Sequence, residues 1–548
     1  MTAAAGPTRV LGLDAVRGLA ILMMCLSGIV PRWLPNWMYH GYYPQRLRDA
    51  DGIWQPVYHP WTFWTGSAFT WVDWVFPMFL FAMGAAIPLA MAGRLKRGVS
   101  RLALVRGTFV RFAILLVFAV YVQQITPHYV GTADPSGITA VDYLLALAGF
   151  ALLFPCLMRL PRTTPPKVAI GVRIAGVVLA IGLVALIHFR RDTAFNWNDK
   201  DIIILLLAWM ALFAGLLWVA LPGRWWPLRL AIGLFIAYAA HHQAMSEPWR
   251  YFDTPFDRQM ALFNEWPHAV LNLTWLIDHP GFDLSPLWNY TWLKFLWVVL
   301  PGTVVGDRLA RFIADRDAPA EPARPLLAHA ALHLLAIGIV LFAYSARLGE
   351  LIQLGGTGVA TRSWLIAAAA LVPAIAALAL VRKDPSAIAR LCRDLSLWAI
   401  VLLMLGLSCE PWEGGIKKGP PSTLSWYLIA AALTVNLLAA SVVLIDASKR
   451  GRFWLGWLVL NGQNPMLAYV GIRNLLDPAV KFPIFAPLRG TNAPDSVEGV
   501  VVHDLIDHNG SDPDSPTRWL VLIWALLKTA ALAAVVAVAT QRRLVWRS

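Results

Sequence analysis

Residues 70–90 read TWVDWVFPMFLFAMGAAIPLA, an apolar run with one charged residue, Asp73, near its start. The run is unbroken rather than alternating. At 1.5 Å per residue it is long enough to cross a hydrocarbon core of about 30 Å. Only helices and closed barrels satisfy their backbone groups in lipid, and the lack of alternation selects the helix. An acid inside such a run is costly, so Asp73 either snorkels to the interface or faces a cavity or a cation, orienting a nearby histidine or lysine. Pro77, one turn later, removes a backbone hydrogen bond. Gly84 permits close approach of a second helix.

The rest of the chain has the same texture. Of its 548 residues 58% are hydrophobic and only 14% charged, with a mean hydropathy of +0.58. A soluble chain of this length needs roughly a quarter of its residues charged. About fourteen apolar runs are legible, near 10–30, 70–92, 103–123, 139–159, 168–188, 201–221, 228–243, 288–308, 326–346, 362–381, 395–408, 424–446, 454–474 and 518–540. The expected fold is an all-α polytopic integral membrane bundle of about 11–14 transmembrane helices, one unit over residues 1–548. The runs at 228–243 and 395–408 are short, so a re-entrant or tilted course is expected there. The first run follows Arg9, lacks a small-residue cleavage site and reads as an uncleaved span. The high tryptophan content, 27 residues, suits interfacial belts.

The net charge of +14 is spread over alternate loops rather than gathered in one patch. RLKRGVSR (94–101), RLPRTTPPK (159–167), PGRWWPLR (222–229), RLARFIADRDAPAEPAR (308–324), RKDPSAIARLCR (382–393) and SKRGR (448–452) fall on one side if every run crosses. The positive-inside rule makes that side the cytoplasm, with both termini there; Arg190 and Arg191 are the exception. This accounts for the basic balance without nucleic acid, and the partner implied is the lipid bilayer. The longer polar segments, 31–69, 244–287, 409–423 and 475–517, lie on the other side and put the functional end outside the cytoplasm. The arginine-, alanine- and glycine-rich usage points to a bacterial plasma membrane.

Metal and redox chemistry find little support. The four cysteines are scattered, without a C-x-x-C pair. HAALH (329–333) lacks the glutamate of a zinc-protease helix, and HDLIDHNGSDPD (503–514) misses the EF-hand pattern. No metal is expected. No Walker loop, dinucleotide fingerprint or G-x-S-x-G elbow occurs.

Polar residues in apolar surroundings supply the candidates. In LDAVRG (13–18), Asp14 and Arg17 share a helix face, either as an interfacial ion pair or with Arg17 meeting a phosphate. In PNWMYHGYYPQ (35–45), His40 is either an incidental loop histidine or a base that takes a proton near neutral pH, and His59 is a rival of equal standing. CEPWEGGIKKGPPSTLSWY (409–427) carries Lys417 and Lys418 in a lysine-poor chain. It is either a solvated turn or a hinge that offers ammonium groups to a developing oxyanion. In LVLNGQNPMLAYVGIRNLLD (458–477), Asn461, Gln463, Asn464 and Arg473 either join helices or line a path, and Pro465 breaks the helix after Asn464.

Five motifs in order carry a family resemblance. RVLGLDAVRGLAILMM (9–24), TWVDWVFPMFLFAMG (70–84), LKFLWVVLPGTVVGD (293–307), GGIKKGPPSTLSWY (414–427) and NGQNPMLAYV (461–470) resemble the bacterial relatives of heparan-α-glucosaminide N-acetyltransferase. The resemblance implies a transmembrane acyltransferase that moves an acyl group, expected to be acetyl, from cytosolic acetyl-CoA to an amino sugar or sugar hydroxyl outside. The family's catalytic histidine lies shortly after the first span. The matching position is His40, 23 residues after Arg17, and His59 falls in an apparent insertion. Asp73 would then orient His40. Lys417, Lys418, Asn461 or Asn464 would serve the substrate and the oxyanion, and Arg17 with Asp14 the cofactor. Animal members carry an asparagine late in the first span, where this chain has Cys25, Leu26, Ser27 and Gly28; either another group, such as Asn464, supplies that contact, or the chemistry differs. The competing expectation is a sugar transporter without acyl chemistry. The sequence leaves oligomeric state open, a homodimer included.

Overall fold

The computed structural model describes residues 9–30, 36–40, 46–48, 54–56, 69–127, 138–161, 163–192, 195–246, 271, 283–315, 324–345, 364–365, 367–413, 415–419, 422–484, 496–499, 501 and 518–546. In chain order its helices are α1 (Leu11–Ile29), α2 (Trp71–Lys96), α3 (Arg101–Gln124), α4 (Ala140–Leu157), α5 (Pro166–Arg191), α6 (Ile202–Ala220) and α7 (Trp226–Ser246). There follow α8 (Leu296–Asp315), α9 (Arg324–Ser345), α10 (Leu371–Val381), α11 (Ala387–Cys409) and α12 (Leu424–Ser441). The last three are α13 (Lys449–Gln463), α14 (Pro465–Gly471) and α15 (Arg518–Gln541). Between α1 and α2 lies a short antiparallel pair, β1 (Arg46–Arg48) and β2 (Trp54–Pro56), with Leu47 opposite Gln55. Apart from that pair of three-residue strands the described chain is helical, the expected all-α polytopic bundle.

Among the described residues ten helices are long and apolar enough to cross a membrane: α1 to α6, α9, α11, α12 with its extension, and α15. The chain is a multi-pass membrane protein. The other four expected runs are helical but differ in kind. Here α7 carries Arg229, His241 and His242, and α8 turns polar at Asp307. α10 has 11 residues, and the last run is split at Asn464 into α13 and α14. The expectation of a short element at 395–408 is corrected. α11 begins at Ala387 and has 23 residues, because its first turns, ARLCRD, carry charges that lower the local hydropathy without ending the helix.

Packing centres on α2 and α12. Met78, Leu80, Phe81, Ala82 and Ala85 of α2 are fully buried. Gly84 of α2 lies so close to α8 that an added Cβ would be 2.2 Å from Val299 O. Trp74 Nε1 donates to Ala430 O at 3.1 Å and Thr434 Oγ1 at 2.9 Å, locking α2 to α12. By contrast α5 exposes Val168, Ile170, Ile174 and Ile181. In water that stripe would be a liability; against acyl chains it needs no cover. The start of α1 is held by Asp446, in the π-helical turn Val442–Ala447 that ends α12. Its carboxylate accepts from Leu11 N at 3.1 Å and Gly12 N at 2.7 Å, two of the donors a helix start leaves unsatisfied.

Candidate active site and its cavity

The site begins with a helix cap. Thr70 and Asp73 form a capping box at the start of α2, and Asp73 Oδ2 accepts from Thr70 N at 3.0 Å. This fixes the carboxylate and turns Oδ1 toward His40, whose Nδ1 lies 2.7 Å away. The Thr70 hydroxyl donates to Tyr39 O, tying down the residue before the histidine. Asp73 is enclosed, with 1% of its side chain exposed, whereas His40 keeps 28%. The acid is therefore a support, and the imidazole is what a ligand can reach.

Lys418 completes the cluster from the segment between α11 and α12. Its Nζ lies 3.0 Å from His40 Nδ1 and 2.9 Å from Nε2. The Nδ1 proton belongs to the Asp73 bond, so the ring's free lone pair is on Nε2, while the Lys418 ammonium, nearly equidistant from both nitrogens, lies against the ring face. The segment is no solvated turn. Glu413 caps α12, accepting from Leu424 N at 2.5 Å and Ser425 N at 2.8 Å. Lys417 O accepts from Thr423 N at 3.0 Å, and Ser422 Oγ donates to Lys418 O at 2.8 Å. Gly415 takes φ 121°, a conformation that only glycine adopts without strain. Burial pushes the Lys418 ammonium below the ordinary lysine range, and the Asp73 charge partly restores it. Burial likewise lowers Lys417, against the pull of Glu413.

His40 faces a cavity of about 330 Å³. α1 contributes Cys25, Ser27 and Gly28, and α3 with its end contributes Gln123 and Thr126. Asp201, at the start of α6, and Tyr469 of α14 form one corner. Asp201 Oδ1 accepts from Ile203 N at 3.0 Å and Ile204 N at 2.9 Å, and the Tyr469 hydroxyl donates to Oδ2 at 3.0 Å. Burial raises the Asp201 carboxyl above its ordinary range, and these donors hold it back. Beyond Gly471, the π-helical turn Ile472–Leu476 presents Arg473 and Asn474.

The expected residues thus divide. His40, Asp73 and Lys418 come together. Lys417 is adjacent in the chain, but its charge is closest to Glu413 in effect. Asn464 is not in the cavity wall, which corrects the expectation that it replaces the missing asparagine. Its Nδ2 donates to Leu544 O at 2.9 Å, and its Oδ1 accepts from Trp546 N at 3.2 Å, fastening the segment after α15. Asn461 is likewise a joint between helices, with Nδ2 donating to Ala533 O at 3.1 Å. The amides that do line the cavity are Asn474 and Gln123. Asp14 and Arg17 pair at 3.6 Å near the far end of α1, with Arg9 also 3.6 Å from Asp14. His59 and the segment 503–514 lie outside the described residues. Asp201, Tyr469 and Asn474 were not singled out from the sequence. An aspartate just before a strongly apolar helix was the one available signal.

Residues 9–309 match a family model described as a domain of unknown function, DUF5009. The chain belongs to this family. No curated protein matches it. The matched region ends within α8, so the DUF5009 portion holds His40, Asp73 and Asp201, while Lys418, Tyr469 and Arg473 come from beyond it. The cluster therefore needs both parts of the chain.

Proposed function

We propose that the protein is a transmembrane acyltransferase, with acetyl-CoA as donor from the cytoplasmic face and an amino sugar or sugar hydroxyl as acceptor from the other. The observation that carries this reading is His40 held between Asp73 and Lys418 at the edge of a cavity. With its proton on Nδ1, the imidazole offers Nε2 as a base once Lys418 swings toward the substrate. The acceptor amine attacks the thioester carbon, its proton passes to Nε2, and the ammonium of Lys418 faces the oxygen as it gains charge. Collapse breaks the carbon–sulfur bond, and the departing thiolate takes the proton from His40. A covalent route, in which Nε2 itself accepts the acyl group, uses the same three residues. Arg17, paired with Asp14 near the other end of α1, suits a CoA phosphate. It precedes Cys25 by eight residues, roughly 12 Å along the helix. A bacterial plasma membrane is the proposed location.

The test is CoA release by the detergent-purified protein given acetyl-CoA and a panel of amino sugars. Wild type should turn over and release thiol continuously only when sugar is present, and His40→Ala should reduce this by at least about a hundredfold. Sugar flux into sealed proteoliposomes without any acyl donor, with no thiol release, would instead make the protein a transporter.

A further inference from the structure

The end of the bundle opposite His40 carries a second cavity, of about 260 Å³, between the last turns of α8 and the first turns of α11. Arg308 and Arg311 enter it from α8, and Arg390 and Arg393 from α11. The carboxylates in its wall are Asp315 and Asp394, so among the described residues four guanidiniums stand against two acids. Two of the four are fixed by neighbours. Arg308 Nη1 lies 3.6 Å from Asp394 Oδ2. Arg393 Nη1 donates to the carbonyls of Val381 and Arg382 at 3.0 Å and of Asp384 at 2.7 Å, which orient its charge without neutralising it. Arg311 and Arg390 are exposed, so a ligand can reach them. The first turn of α11 adds the positive end of a helix dipole.

The face of α11 below the arginines decides the kind of anion. From Arg390 to Cys409 the helix rises roughly 30 Å, the thickness of a hydrocarbon core, which puts the arginines at headgroup level. Leu397, Val401, Met404 and Leu405 follow Arg390 on the same helix face, each between 45% and 51% exposed. Acyl chains suit that stripe, and a guanidinium fork holds phosphate oxygens in pairs. One molecule matches both features if it carries a phosphate at one end and acyl chains at the other. The segments that supply the arginines, 308–324 and 382–393, belong to the side that the positive-inside rule makes cytoplasmic. Basic pockets between transmembrane helices on that side are known to take anionic headgroups.

We propose that the cavity between α8 and α11 binds an anionic phospholipid of the cytoplasmic leaflet. Arg311 and Arg390 hold its phosphate, Arg308 and Arg393 add charge behind it, and an acyl chain lies along Leu397 and Val401. The lipid braces α8 against α11 at the membrane surface, so its binding is read as stability. A free phosphate, such as those of CoA, shares the first contact and lacks the second.

The experiment melts the full chain in micelles of an uncharged detergent with rising mole fractions of phosphatidylglycerol or phosphatidylcholine, and in parallel with glycerol 3-phosphate and with CoA. Phosphatidylglycerol should stabilise wild type at mole fractions at least about tenfold below phosphatidylcholine. Arg311→Gln combined with Arg390→Gln should remove that preference. Arg311→Gln alone should weaken it about fivefold, and added salt should weaken it too. Arg382→Gln combined with Lys383→Gln is the control. It removes two exposed charges of the same segment that lie outside the cavity, and it should leave the preference intact. Equal action of the two lipids on wild type overturns the proposal, as does a preference that survives in the paired cavity variant. An equal loss in the control overturns it as well, since the effect is then the attraction of any basic surface to an anionic one. If glycerol 3-phosphate or CoA stabilises wild type as strongly as phosphatidylglycerol does, and through the same two arginines, the cavity serves a free phosphate and the lipid assignment falls. No reading here needs turnover, so the result stands apart from acyl transfer at His40.

Discussion

His40 can accept a proton at Nε2 only while its other proton is held on Nδ1, and Asp73 Oδ1 at 2.7 Å does the holding. Lys418 faces the same ring, and its burial has a thermodynamic consequence. A lysine whose folded-state pKa is depressed binds its proton less tightly when folded than when unfolded. Below the folded value both states are protonated, so there the fold carries a penalty. The penalty fades as pH rises through the folded value and is gone above the ordinary value of 10.5. Lys418→Met is therefore expected to raise the melting temperature at pH 7 and to abolish CoA release. The gain in stability should shrink as the melts are repeated toward pH 10.5. A variant that melts lower at pH 7, or whose gain is constant with pH, contradicts this account. The trio was legible in part from the sequence: Asp73 stood alone in an apolar run, lysine was scarce, and the motif order singled out His40. Asp201 and Tyr469 were not legible, because their contact joins positions 268 residues apart and neither stands out locally. Asn464 was misread because an amide inside an apolar run signals a buried partner without saying which one.

Helices of this chain are set at distances that glycines decide. At Gly302 of α8 an added Cβ would lie 2.4 Å from Phe81 O and 3.2 Å from Ala85 N, both backbone atoms of α2. No rotamer change can relieve such a clash, so the two helices must part. Gly302→Ala should destabilise the protein by about 2–3 kcal/mol and, by shifting α2 and Asp73 with it, lower CoA release. Gly338→Ala on α9 is the control. Nothing lies within 4 Å of that position, and there helix propensity alone predicts no loss. Equal melting temperatures for the two variants would refute the close-packing argument. A second joint lies among α9, α11 and α12. His333 Nδ1 is 2.6 Å from Asn436 Oδ1, and its Nε2 is 2.9 Å from Ser396 Oγ and 3.2 Å from His329 Nε2. Asn436 Nδ2 donates to Ala432 O, so its Oδ1 accepts and the His333 proton is on Nδ1. The HAALH spacing is thus used for bonding between helices. Helix existence was legible because runs of about twenty apolar residues have few other uses. The start of α11 was not, because charged first turns read like a loop until the helix is seen to continue through them.

Sidedness belongs to the whole molecule. His40 follows the C-terminal end of α1, Asp73 is in the first turn of α2, and Lys418 lies between α11 and α12, so the trio gathers at one end of the bundle. The basic segments 94–101 and 448–452 lie at the opposite ends of α2 and α12. If the positive-inside rule holds, the cavity end is outside the cytoplasm and the acyl group must travel to reach it. Two exposed positions report on this directly: Trp412 beside the Lys418 segment, 91% exposed, and Phe453 in the first turns of α13, 78% exposed. Cys25 and Cys392 are buried, so Cys156→Ser and Cys409→Ser supply a quiet background. In intact cells a membrane-impermeant maleimide should label Trp412→Cys, whereas Phe453→Cys should react only after permeabilisation. The reverse pattern would put His40 on the cytoplasmic face. Donor and base would then share one compartment, and an acceptor from outside would have to cross the bundle to meet them. Labelling of both positions from outside would mean that α12 does not carry the chain between faces as its length implies.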